Sequence, residues 1–370
     1  MERHSAVFDI FLGEEPMKAG IITLYGNINY GNKLQNYAVA HLLGARGVAA
    51  ETLVPRSQSY PVNCAWRTVR AVQRKMLKGL EKERTEGFEK FSRGIPVRYL
   101  LSDSAKRRSK LNYDFLVLGS DQIWHPRAFN LREERFGSFF PPDRVLCVSP
   151  SFGVSELPPD CLEYYRDGLS RLEWISVRES DGADLVRQLT GKNVPVLADP
   201  TIGVPIEEWE STMSEKRCPD SRYVLLYNLG GLGEEDKEAL AILARRCNVT
   251  AIDVLDKGDA RYYCADPGEF VGLIANAECV FTDSFHASVF SMLFNTPANI
   301  LRRRGAANNV FSRLETFAST YGLEDRILDR IDPSEWDSYT ACDYQRSWKI
   351  AEAKRKELNG FIDKFIESIR

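Results

Sequence analysis

The sequence predicts an α/β protein with two Rossmann-like domains, each a parallel sheet flanked by helices. Three observations lead there. Short apolar runs alternate with helical stretches from residue 19 to about 301. The runs repeatedly stop at a glycine or a small polar cluster, as strands do at a ligand-facing sheet edge. The plan also begins twice, once near residue 19 and again at residue 222.

Taken in order, "AGIITLYG" (19–26) reads as a buried strand ending at a glycine. "NKLQNYAVAHLLGARG" (32–47) places Leu34, Tyr37, Ala38 and Leu42 at helical spacing, with Gly47 as the cap. "VAAETLV" (48–54) is the next strand. "YDFLVLGSDQIWHP" (113–126), "RVLCVSPSFG" (144–153), "EWISVRES" (173–180) and "VPVLADPT" (194–201) each read as an apolar strand running into a polar cluster. In the second half, "RYVLLYNLGG" (222–231), "VTAIDVLD" (249–256), "ECVFTD" (278–283) and "TPANIL" (296–301) are strands. Between them lie helices at 235–247, 266–277 and 284–295, the second with Asp266 as cap and Pro267 in its first turn. The pattern divides the chain into an N-terminal domain over 1–201, a linker over 202–221, a C-terminal domain over 222–332 and a polar helical tail over 333–370. The tail helix is a candidate to return to the first domain.

Composition narrows the function classes. The chain has 370 residues, is 44% hydrophobic and 27% charged, and carries a net charge of -3, so no global nucleic-acid signature exists. No apolar run is long enough to span a bilayer, and the N-terminus lacks the order of a signal peptide. A cytoplasmic protein is the reading. The eight cysteines include no close pair, and no compact acidic or histidine cluster asks for a metal. Residues 67–110 carry 14 Lys/Arg against 5 Asp/Glu. They form either a solvated basic face, with Val69, Val72, Met76, Leu77 and Leu80 on its apolar side, or a contact with an anionic membrane surface or a diphosphate-linked acceptor.

Four clusters carry candidate chemistry. In "VFTDSFHASVF" a strand ends at Asp283 and His286 falls in the first turn of the following helix, where free N–H groups suit a phosphate or carboxylate. A histidine there either moves protons or only satisfies the strand end. In "SVRES", Arg178 follows a strand and either binds an anion bidentately or pairs with Glu179 or Asp199. Of Arg302, Arg303 and Arg304, after the last strand, at least one is expected at the cleft. "GSDQIW" joins the carboxylate of Asp121, the amide of Gln122 and the indole of Trp124, a set suited to sugar hydroxyls and a sugar ring; the alternative is Trp124 in the core and Asp121 as a cap. Asn27, Asn29, Asn32, Gln35 and Asn36 offer further neutral donors and acceptors, or simply make the turn.

Together, "NYGNKLQNYA", "VLGSDQIW", "SPSFG", "ISVRE", "LADPT", "FTDSFHASVFSMLF" and "RRRGAANNVFSRLETFASTYGLEDR" resemble the polysaccharide pyruvyl transferase family, in order, from about residue 20 to 330. The resemblance implies two Rossmann-like domains facing a cleft, as in GT-B glycosyltransferases. It implies transfer of pyruvate from phosphoenolpyruvate, as donor substrate with no cofactor, onto a sugar of a cell-surface polysaccharide or its lipid-linked precursor, usually as a cyclic ketal. His286 and Arg178 match the family's histidine and arginine. Ser284 stands where some members have arginine, and Pro150 stands where a smaller residue is expected.

On this reading Arg178, Ser284, Phe285, His286, Arg302 and Arg303 hold phosphoenolpyruvate, with His286 and Arg178 catalytic. Asn27, Asn29, Asn32, Gln35, Asp121, Gln122 and Trp124 line the acceptor side. The partners are phosphoenolpyruvate and a glycan or lipid-linked oligosaccharide, with peripheral contact at the inner membrane face and no nucleic acid. Two other classes share the fold: a nucleotide-sugar glycosyltransferase and a non-catalytic glycan-binding protein.

Overall fold

A computed structural model describes residues 16–25, 28–55, 79–100, 112–126, 133–303 and 311–370. The first sheet has six strands, β1 (Lys18–Ile22), β2 (Ala49–Pro55), β3 (Val97–Leu100), β4 (Phe115–Leu118), β5 (Val145–Cys147) and β6 (Trp174–Ile175), all parallel, in the order β3-β2-β1-β4-β5-β6. The second has β7 (Tyr223–Tyr227), β8 (Thr250–Asp253), β9 (Cys279–Thr282), β10 (Ala298–Leu301) and β11 (Ile327–Leu328), also parallel, in the order β11-β10-β9-β7-β8. Strand order reverses between β1 and β4 in one sheet and between β7 and β9 in the other. Crevices beyond the carboxyl ends of such strand pairs are where open α/β sheets bind ligands.

The central strands are apolar throughout, because helices cover both faces. Phe115, Leu116, Val117 and Leu118 are fully buried in β4, as are Val224 and Leu225 in β7 and Cys279, Val280 and Phe281 in β9. The helix Pro267–Ala275 starts as its sequence predicts, with a reciprocal capping box between Asp266 and Glu269.

One segment differs from the sequence reading. "VPVLADPT" forms no strand: Val196 makes one isolated bridge to Val177, and Asp199 then caps a helical turn, Pro200–Gly203. Pro195 and Pro200 each lack the N–H a ladder needs. The stretch 202–221 contains the helix Ile206–Thr212, whose Trp209 is fully buried against Tyr37 and Phe290.

The two sheets are tied together across the cleft. Tyr30, from the first domain, stacks on Phe270 at 4.0 Å and donates its hydroxyl to Ala265 O at 2.9 Å. The helix Leu80–Phe91 sends buried Arg84 to the carbonyls of Val254 and Tyr263. The final helix, Gln345–Ile369, is anchored on the second domain by Trp348, which donates to Met292 O at 2.7 Å. It then crosses to the first domain, where Phe365 packs on Phe115 and Trp174, and Asp363 pairs with Arg46 at 2.6 Å.

Within 67–110, the described residues 79–100 hold five basic against four acidic side chains. Two of those acids pair beyond the segment, Glu81 with Lys257 of the second domain and Glu83 with Arg217 of the 202–221 stretch. Val69, Val72, Met76 and Leu77 lie outside the described residues. No helix of the described residues is long and apolar enough to cross a membrane.

Candidate active site

The carboxyl ends of β4, β5, β6 and β9 deliver their polar clusters to one place, and Asp199 is its hub. Its Oδ1 accepts from Thr201 N at 2.9 Å and Thr201 Oγ1 at 2.6 Å. Its Oδ2 lies 2.7 Å from an Arg178 terminal nitrogen, 3.3 Å from Ser120 Oγ and 3.8 Å from His286 Nε2. Burial alone would raise the Asp199 pKa; Arg178, His286 and the two Thr201 bonds outweigh it and hold the carboxyl below its ordinary range.

His286 occupies the first turn of the helix Phe285–Leu293, which Ser284 caps by accepting from Ala287 N at 3.4 Å. Burial pushes the imidazole pKa down, reinforced by Arg178 and Arg313 and opposed by Asp199 and Asp121; the net direction is downward, so the ring is neutral near neutral pH. Gly31 packs directly on this ring. A Cβ there would approach His286 Nδ1 closer than 3.0 Å, a separation real Cβ atoms essentially never show.

Arg178 is buried over the Phe285 ring, 4.9 Å from its centroid, and also donates to Ser120 Oγ at 2.5 Å. Asp121 Oδ1 lies 3.7 Å from Arg178 and 3.6 Å from Arg313, too far for hydrogen bonds. Arg313 enters from the helix Ser312–Tyr321, and burial pushes its pKa down. Beneath the site Glu179 Oε1 accepts from Ser151 Oγ, Phe152 N and Gly153 N at 2.7–3.2 Å, fixing the loop after β5; burial raises the pKa of this carboxyl.

Several buried polar atoms here have no hydrogen-bond partner among the described residues: Arg178 Nε and Nη1, Arg313 Nε and His286 Nε2. Buried donors are rarely left unpaired. Three come from two arginines, the donor set that a multi-oxygen anion satisfies.

The predicted residues divide clearly. The structure brings His286, Arg178, Phe285 and Asp121 together, whereas the Gln122 amide lies against Gly153. Phe285 serves as the face on which Arg178 lies. Ser284 lies beside them, but its backbone N–H donates to Thr282 Oγ1 at 3.0 Å and is not free for an anion. Arg303 is held by Asp283 at 2.7 Å, and Asp283 also accepts from Leu229 N and Gly230 N, so this pair shapes the loop after β7.

Arg302 turns away, which corrects its assignment to the anion site. It pairs with Glu315 at 2.7 Å and Asp329 at 3.4 Å, beside a separate cavity of about 560 Å³ that contains neither His286 nor Arg178. Trp124 is also corrected: it is fully buried, donates to Arg135 O at 2.8 Å and packs on Phe136 and Phe152, leaving no ring face for a sugar. Gln35 is likewise interior. Its Nε2 donates to Thr23 Oγ1 at 2.7 Å and its Oε1 accepts from Ser120 N at 3.0 Å, fixing the loop that carries Asp121. Asn36 bonds Thr52, and Asn29 caps the helix Tyr30–Gly44 by accepting from Asn32 N. The Asn32 side chain remains partly exposed with no hydrogen bond among the described residues. Asn27 and Arg304 lie outside the described residues.

Arg313 escaped the sequence reading. Its signal is a charged residue on an otherwise apolar helix face, four positions before buried Phe317.

The model of the polysaccharide pyruvyl transferase family matches residues 29–303, most of the chain. The chain belongs to the polysaccharide pyruvyl transferase family. It is therefore a member of a transferase family, and the matched span includes the hub Asp199, Arg178 and His286. A comparison with curated proteins finds no match. Among solved structures, the transferase is similar to UDP-GlcNAc 2-epimerase from Neisseria meningitidis bound to UDP-GlcNAc, at 11% identity and a TM-score of 0.50, covering 95% of this chain and 100% of that one. S. aureus MnaA, in a co-structure with UDP, aligns at 10% identity with a TM-score of 0.50, covering 95% and 97%. Likeness at this level shows the fold alone: two Rossmann-like domains facing a cleft, GT-B-like.

Proposed function

We propose that the transferase moves pyruvate from phosphoenolpyruvate onto two hydroxyls of a glycan sugar, forming a cyclic ketal and releasing phosphate. The observation that supports this best is the pair of unpartnered, buried Arg178 nitrogens beside an unpartnered His286 Nε2, inside the family's matched span. Phosphoenolpyruvate carries a carboxylate and a phosphate on an enol carbon. Arg178 binds one anionic group, and the first-turn N–H groups of Phe285 and His286, outside the helix's own ladder, face the same charge.

Reaction begins when a proton reaches the methylene carbon and the adjacent carbon becomes oxocarbenium-like. One sugar hydroxyl attacks that carbon and loses its proton. The C–O bond to phosphate breaks, and the second hydroxyl closes the ring, also losing its proton. One proton ends on the methyl group and the other on phosphate or solvent. His286 carries protons through these steps, with Asp199 favouring its cation as it forms. The acceptor belongs to a surface polysaccharide or its lipid-linked precursor, met by Asn32 and Gln122. Its site of action on this reading is the cytoplasm or the inner membrane face.

Because burial holds the free imidazole neutral, a bound polyanion that favours the cation makes binding take up a proton at neutral pH. Uptake disappears as pH falls below the free histidine's lowered pKa, where the ring is already charged. Calorimetry in buffers of different ionisation enthalpy should therefore show more proton uptake for the wild type than for His286→Gln; equal uptake would contradict the role. Asn32→Ala should raise the acceptor KM several-fold while leaving phosphoenolpyruvate affinity unchanged, as measured by steady-state kinetics and calorimetry.

The nucleotides bound to the two structural neighbours supply the competing reading, a nucleotide-sugar donor. Thermal shift against phosphoenolpyruvate and a panel of nucleotide sugars separates the two. Stabilisation by phosphoenolpyruvate alone supports pyruvyl transfer, and stabilisation by a nucleotide sugar alone contradicts it.

A further inference from the structure

We propose that Arg313 is a second anion-binding arginine of this site and that Asp121 is an internal counter-ion which only a multiply charged ligand can outcompete. The inference rests on the anion-donor reading of the same cleft, but it concerns a residue ten positions beyond the segment matched by the family.

The geometry is specific. A single oxygen, Asp121 Oδ1, stands 3.6 Å from Arg313 and 3.7 Å from Arg178. At those separations it partly offsets both guanidinium charges without occupying their donors. Arg313 Nε and Arg178 Nε and Nη1 accordingly remain buried and unpaired. Arg178 has a second carboxylate, Asp199 at 2.7 Å, whereas the ion partner of Arg313 among the described residues is Asp121. Arg313 is therefore the cation that Asp121 chiefly offsets.

Packing keeps the helix of Arg313 in place. Phe317, four residues on and on the same helix face, meets the Phe285 ring at 5.6 Å, and Phe285 in turn carries Arg178. The helix that carries Arg313 thus packs on the ring that carries Arg178. This arrangement also supplies a cation in a chain that has Ser284 two places before His286.

A fixed carboxylate between two cations sets a threshold for binding. A monocarboxylate such as pyruvate brings one charge and two oxygens, and it must share the arginines with Asp121. A phosphate brings more charge and three or more oxygens, enough to engage three orphaned donors at once. Asp121 is in this way a specificity-determining residue that admits the phosphorylated donor and disfavours the dephosphorylated acid.

The test uses the full chain, with inorganic phosphate, pyruvate and phosphoenolpyruvate as separate probes in calorimetry and thermal melts. Asp121→Asn leaves two buried cations without their shared counter-ion, so its ligand-free melting temperature should fall and phosphate should restore it. Its phosphate affinity should rise by about tenfold, and pyruvate binding should strengthen with it. Arg313→Gln should weaken phosphate binding by about tenfold or more, and adding it to Asp121→Asn should remove the gain. Arg313→Lys, which keeps the charge and loses the planar fork, should fall between the wild type and Arg313→Gln.

Unchanged phosphate affinity in Arg313→Gln overturns the proposal, even if Asp121→Asn does not fold. So does an Asp121→Asn variant with unchanged or weaker phosphate binding and a raised acceptor KM, which makes Asp121 an acceptor ligand instead. If the phosphate results hold while phosphoenolpyruvate binds no better than phosphate, the inference stands and the donor reading fails. If phosphoenolpyruvate is turned over while neither variant alters phosphate affinity, the donor reading stands and the inference fails.

Discussion

Gly31→Ala should lower turnover by about a hundredfold, the order of loss that follows a 1 Å misplacement of a catalytic group. Intrinsic propensity argues the other way for stability, since alanine in a helix is favoured over glycine by about 0.5–1 kcal/mol. Gly31 lies in the helix Tyr30–Gly44, yet its missing Cβ is the space the His286 ring occupies. Overpacking typically costs about 1–3 kcal/mol, which exceeds the propensity gain, so a net loss of stability is expected. Helix and ring belong to different domains, so the ring can yield only by moving within the cleft. Chemical denaturation and steady-state turnover check both halves; a variant that is more stable and fully active would show that Gly31 does not seat His286.

Asp199→Asn should destabilise the protein by about 3–5 kcal/mol, the usual consequence of stripping one partner from a buried ion pair. Arg178 would lose its 2.7 Å partner, and the two Thr201 donors would lose a charged acceptor. The pH dependence has a definite sign. Since the Asp199 carboxyl is held below its ordinary value, its contribution is complete above the unfolded pKa of about 3.9 and is lost as pH falls through the lowered one. Wild type and variant should therefore converge in stability in strong acid and diverge above it. Parallel unfolding curves across that range would contradict the hub role.

The sequence made the framework legible because strands buried on both faces leave continuous apolar runs, as in β1, β4, β7 and β9. It made His286 and Arg178 legible because each sits just past such a run. What it hid has a common cause: a polar cluster shows that a strand has ended, not which way the next residues fold. Trp124 turns under the loop into the core while Asp121, three residues earlier, stays at the site. Gln35 reads as an acceptor-side amide, yet it is spent holding Thr23 and Ser120. Arg302 and Arg303 are adjacent in sequence and face different partners, Glu315 and Asp283. Asp199 was legible as an alternative partner for Arg178 but not as a hub, because its four donors come from residues 120, 178 and 201. Arg313 needed the contact between Phe285 and Phe317, which no spacing reveals.

The most direct measurement is phosphate release from phosphoenolpyruvate by purified protein, with soluble and lipid-linked glycan acceptors and with His286→Ala as control. Release that requires both an acceptor and His286, with the glycan gaining the mass of one carboxyethylidene group, is the result expected. Acceptor-dependent release that persists undiminished in His286→Ala, or glycan modification from a nucleotide sugar with no use of phosphoenolpyruvate, would contradict the account.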